Sequence, residues 1–148
     1  MLSATDLAEL QLFYAEQSRL LDEGGAEEWA RTFTEDGVFF STGIPAPVRG
    51  RTAITEGRRR ATAESRAAGV QRRHVFGVPS VRSADDGSLV CRLQVLVVST
   101  ADGAAPQLRA VCMCEDVLVR ENGVLLIRKR TVAHDGTSGV ERDSTRRS

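Results

Sequence analysis

Near residue 70 the apolar residues of this chain change period, and no other feature constrains the fold as strongly. Before that point they recur at helical spacing. Leu7, Leu10, Phe13, Tyr14, Leu20 and Leu21 share one face over residues 5–23, with Gln17 as the single break. Ser3 or Thr5 can cap this helix, and Gly24-Gly25 stops it. A short helix, AEEWARTF, follows and sets Trp29 and Phe33 four apart. Glu35-Asp36-Gly37 then turns the chain into a brief strand, VFFSTG. Residues 51–68 predict a third helix, polar enough to keep one face wet. After residue 70 the segments VQRRHVFGVPSV, LVCRLQVLVVST, QLRAVCMCEDVLV and VLLIRKRTVA read as strands. Asp85-Asp86-Gly87, Asp102-Gly103 and Asn122-Gly123 between them are hairpin signals. Helices first and an antiparallel meander second is an α+β layout.

Composition narrows the function classes. With 148 residues, one domain is expected, over 1–134, followed by a polar tail at 135–148 expected to be disordered. Lys and Arg total 20 and Asp and Glu total 20, so nothing points to a nucleic-acid partner. The start of the chain lacks the charged and apolar blocks of a signal peptide, and no run of about 18 apolar residues offers a membrane span. Cys91, Cys112 and Cys114 show neither disulfide nor zinc spacing, which fits reduced thiols in a cytoplasm. With His74 and His134 as the two histidines, no metal site and no cofactor are expected. An Arg-, Ala- and Gly-rich composition with Lys129 as the one lysine suggests a GC-rich bacterial genome.

Several motifs then fall into a familiar order. Tyr14 is followed by LDEGGAEEWARTFTEDGVF; Arg49-Gly50-Arg51 with Ile54 opens the third helix; Arg73-His74 begins the first long strand; Asn122-Gly123 precedes the last. In this the chain resembles the nuclear-transport-factor-2-like superfamily, in its SnoaL-like, scytalone-dehydratase and dioxygenase-beta-subunit branch. The resemblance implies a cone-shaped α+β barrel, three N-terminal helices packed on a curved antiparallel sheet around a small-molecule pocket. It also implies a cofactor-independent cyclase, dehydratase or isomerase of bacterial secondary metabolism. Such an enzyme would act on a small apolar, polyketide-like or aromatic substrate and form a homodimer or homotrimer. The alternative it leaves open is a non-catalytic binding or assembly module like a dioxygenase beta subunit.

Candidate residues follow. His74 has a side chain suited to proton transfer near neutral pH, or is a half-buried structural histidine. Asp22, at a helix C-terminus where the dipole disfavours a carboxylate, is either its orienting partner or a solvated turn residue. The resemblance favours the pair, because the dehydratase uses such a histidine with a nearby aspartate. Tyr14, Trp29, Phe33, Phe40 and Phe76 are candidate pocket walls, or core. Cys112, Cys114 and Asp116 share a strand face; Asp116 is placed nearer the rim as a substrate contact or second base. Arg130, like Arg92, Arg109 and Arg128, is read as solvent-facing, as paired at an interface, or as a clamp on a substrate carboxylate or phenolate, and His134 as exposed. Departures from the dehydratase are plain: Leu21 and Ser41 stand where it has tyrosines, and QVLVVST lacks its second histidine.

Overall fold

The structure, a computed structural model, describes residues 1–136. Three helices precede most of the sheet: α1 (Ala4–Glu23), α2 (Ala26–Ala30) and α3 (Arg51–Ala67). Ser3 caps α1 in a reciprocal capping box with Asp6, and Gly24 ends it in the left-handed region at φ 78°. The strands are β1 (Phe33–Ser41), β2 (Val48–Arg49), β3 (Val70–Phe76), β4 (Ser80–Ser83), β5 (Leu89–Ala101), β6 (Gln107–Glu121) and β7 (Val124–His134). They hydrogen-bond in the order β2-β1-β7-β6-β5-β3, with β4 also on β5. The fold is thus α+β, helices followed by a sheet that is mostly antiparallel and does not close on itself.

Three details differ from the sequence reading. Phe33 belongs to β1 rather than to α2, although its ring still meets Trp29 edge-on at 5.0 Å. VQRRHVFGVPSV is two strands, broken at Gly77–Pro79, because β3 pairs with one half of β5 and β4 with the other. β1 runs parallel to β7, since a helix and several strands separate them along the chain and no hairpin fixes their sense. The three hairpin signals do mark β4-β5, β5-β6 and β6-β7. At the last, Asn122 (φ 51°) and Gly123 (φ 79°) both take the positive φ that a type I′ turn requires. The tail expected from residue 135 lies, from 137 onward, outside the described residues.

The core sits between α1, α2 and the inner sheet face. Cys91, Leu93 and Val95 of β5 alternate inward, as do Cys112, Cys114, Asp116 and Leu118 of β6. β7 breaks the alternation. Leu118 pairs with Ile127 but Val117 pairs with Lys129, so one extra residue sits in β7. Leu125 and Ile127 point inward before this bulge, Arg130 and Val132 after it. β1 has a matching irregularity between Phe33 and Val38, which leaves Phe39 and Ser41 inward and Phe40 outward.

Candidate active site

The open cone holds a cavity of about 160 Å³, lined mainly by Leu21, Trp29, Phe39, Phe76, Val95 and Val97. Its polar lining is Ser41, Arg58, His74, Cys112, Cys114, Arg130 and His134. An engineered apolar cavity of ~150 Å³ holds one benzene, so this one has room for an aromatic ring.

His74 reaches the cavity from β3, and Asp22 stands behind it at the end of α1. Asp22 Oδ1 accepts the His74 backbone N–H at 2.9 Å and lies 2.9 Å from the ring Nδ1. A carboxylate partner puts the proton on Nδ1 and leaves Nε2 as the ring's proton acceptor. Ser18 Oγ also donates to the His74 carbonyl at 2.7 Å, tying β3 to α1 a second time. Burial lowers the His74 pKa from its ordinary 6.5; the Asp22 hydrogen bond pulls the other way, and the Arg58 charge adds to the lowering. The imidazole is therefore held neutral near pH 7, as a base must be.

Deeper in, a second polar cluster is fully packed. Arg130 forks onto Asp116, Nε to Oδ1 at 2.7 Å and a terminal nitrogen to Oδ2 at 2.8 Å. Tyr14 donates its hydroxyl to Asp116 Oδ2 at 2.9 Å. Gln17 Oε1 accepts from Arg130 and from Trp29 Nε1, both at 3.0 Å, while its amide nitrogen donates to Thr32 at 2.8 Å. Phe33 and Phe76 each place a ring 5.9 Å from the guanidinium carbon. Asp116 is 0% exposed. Burial drives the Tyr14 pKa far above 10, so its hydroxyl stays a donor.

Trp29, Phe76, Cys112 and Cys114 line the cavity as walls. Four other expectations need correction. Phe33 is wholly buried core against Trp29. Phe40 lies on the outer sheet face beside Val38 and Lys129, because the β1 irregularity turns Phe39 inward instead. Tyr14 lies outside the cavity, along a groove between α1 and β3. Asp116 is neither at the rim nor free to act as a base; its oxygens are taken by Arg130 and Tyr14.

Gln17, Arg58 and His134 were missed as site residues, and Arg130 was not told apart from the other strand arginines. Gln17 had a signal, since a polar side chain in the 10-14-17-21 register of α1 must find partners when buried. Arg130 and His134 were hidden by the β7 bulge: alternation from Leu125 and Ile127 points Lys129 inward. His134, expected to be exposed, instead lines the cavity with Nδ1 2.9 Å from Thr42 Oγ1. The cysteines carry no nucleophilic signal. Burial pushes the Cys91 thiol up to about 11 and raises Cys112 and Cys114 too.

With this geometry in view, comparison with known proteins is decisive for the family. The SnoaL-like domain model matches residues 3–131. The chain belongs to the SnoaL-like family. This SnoaL-like protein is similar in structure to Aln2 from a Streptomyces species, at 31% identity and TM-score 0.82, over 91% of this chain and 94% of that one. It is similar to ActVI-ORFA from Streptomyces coelicolor at 37% identity and TM-score 0.80, over 87% and 94%. A Catenulispora acidiphila protein solved in complex with S-DNPA is 36% identical with TM-score 0.79, over 94% of this chain and 100% of that one. No curated protein sequence matches it. No helix among the described residues is long and apolar enough to cross a membrane.

Proposed function

We propose that this SnoaL-like protein is a small-molecule enzyme of bacterial secondary metabolism, of cyclase, dehydratase or isomerase type. Its substrate would be polyketide-like or aromatic, and its chemistry general acid/base catalysis centred on His74 without a cofactor. The observation that carries this reading is the Asp22–His74 pair at the wall of a largely apolar cavity. The S-DNPA complex of the Catenulispora relative supports small-molecule binding in such a fold.

The step common to the three reaction types is proton removal from a carbon beside a carbonyl. His74 Nε2 takes that proton, its electron pair passes into the carbonyl as an enolate, and Asp22 steadies the imidazolium that forms. Return of the proton elsewhere gives isomerisation; its delivery to a departing hydroxyl gives water and a new double bond. His134 lies across two intervening strands on the same cavity and supplies a second proton carrier.

The test uses 2-tetralone, a bicyclic aromatic ketone, with exchange of its α-hydrogens into heavy water followed by NMR. The wild type is expected to accelerate exchange, and H74A to lose about 10²–10⁴-fold. Exchange by H74A within a few-fold of wild type would remove His74 from proton transfer.

A further inference from the structure

Helix α3 is polar along most of its length, yet one stripe faces inward. Ile54 on this stripe is buried, and one turn later stands Arg58. A core-facing position four residues after a buried isoleucine ordinarily takes an apolar side chain. Here a guanidinium reaches the cavity wall.

Arg58 is unsatisfied there. Its Nε is buried without a hydrogen-bond partner, and among the described residues the guanidinium makes no hydrogen bond and no ion pair. Asp22 attracts it electrostatically but forms no ion pair with it and gives Oδ1 to His74. Burial, together with the Arg72 charge, lowers the Arg58 pKa. Arg130, on the same cavity, shows the opposite treatment, with each of its guanidinium nitrogens bonded. An isolated charge in such a place is costly unless something in the working protein answers it. The fork of an arginine matches the two oxygens of a carboxylate and also holds a single anionic oxygen.

We infer that Arg58 anchors an anionic oxygen of the substrate, so that the cavity selects an aromatic acid or phenolate over its neutral counterpart. This rests on the reading that the cavity is the substrate site, and it names the substrate class that reading leaves open. The anionic group beside Arg58 would set the ring's direction in the cavity and thereby which carbon meets His74.

The experiment measures binding without turnover, so its outcome is independent of whether His74 is catalytic. 4-Nitrobenzoate, 4-nitrophenolate and neutral 4-nitrobenzamide are titrated into the protein at pH 8 by calorimetry. At least one anion is expected to bind about 10–100-fold more tightly than the amide, the range of a charged hydrogen-bonded pair. Preference for the benzoate assigns the anchored group as a carboxylate, preference for the phenolate as a ring oxygen. R58Q is expected to erase the advantage, so that anions and amide bind this variant within about two-fold of one another, and R58K, which keeps charge without the fork, to retain part of it. Melting curves of both variants verify folding. Equal binding of amide and anions by the wild type, or an anion advantage that survives in folded R58Q, would overturn the proposal. Such a result alongside an H74A exchange defect would leave the proposed function standing.

Discussion

Arg130 and Arg58 line one cavity and are treated in opposite ways. Arg130 rises from the sheet into a packed network in which Asp116 and Gln17 accept its three guanidinium hydrogen bonds, Tyr14 donates to the same aspartate, and two aromatic rings flank it. Arg58 descends from α3 to the wall with no hydrogen-bond partner among the described residues. The difference separates two jobs. A satisfied buried charge holds elements in place, here α1, α2 and β6 against β7. An unsatisfied one at a cavity is poised for something that comes from outside. The Asp22–His74 pair lies between these extremes, half-buried and tied on Nδ1, with no hydrogen bond on Nε2 among the described residues.

The contrast breaks most directly at Asp116. D116A leaves the Arg130 charge buried without its partner, and about 3–5 kcal/mol of stability should be lost. For a chain of this length that lowers the melting temperature by about 10 °C or more. The double variant D116A/R130M should regain most of the loss. Denaturant unfolding gives both numbers, and a cost below about 1 kcal/mol for D116A would show that the network is not structural.

The next effect is smaller and falls on activity. D22N keeps an oxygen for the His74 backbone N–H but no longer stabilises an imidazolium. Exchange of 2-tetralone should drop about 10–100-fold, with the melting temperature nearly unchanged. A melting shift as large as that of D116A would reassign Asp22 to the structural class.

pH tests the same pair from another side. The folded-state pKa of His74 lies below 6.5, so the unfolded chain binds the proton first as pH falls. Stability is therefore full above about pH 6.5 and declines as pH drops towards the folded value. H74N should flatten that part of the stability profile. The exchange rate should be level near pH 7 and fall with an apparent pKa below 6.5; an apparent value above 6.5 would contradict a buried neutral base.

The smallest effect is expected at Arg58. R58M removes a charge that has no hydrogen bond or ion pair among the described residues, so stability should stay within about 1 kcal/mol of wild type or rise. A loss like that of D116A would mean that Arg58 has a structural partner after all. The three thiols give a control on the packed floor: Ellman's reagent should modify them only after unfolding, since burial raises each thiol pKa.

How much of this was legible beforehand depended on distance along the chain. The end of α1, the three hairpins and the inward face of β6 all rest on residues within a few positions of one another. Local rules of capping, turn chemistry and alternation find them. Asp22 and His74 were reachable through a motif resemblance, though 52 residues separate them. Phe40 and His134 were misplaced, and Arg130 was left without a fixed place, for a common reason. An extra residue in β7 and a slip in β1 change which side chains point inward, and strand alternation read along the sequence carries no mark of where a bulge falls.

Period, caps and turns thus established the helices, most of the strands and the class of fold, because each is decided by neighbours in sequence. Which charges meet was settled only when the sheet curved and α3 crossed it. Asp116 found Arg130 across a strand pair, Tyr14 found Asp116 at a separation of 102 residues, and Arg58 met the cavity wall instead of a carboxylate. Such pairings depend on register and packing between distant elements, and a one-residue shift in either strand would have sent Arg130 to water and closed the cavity's floor with Lys129 instead.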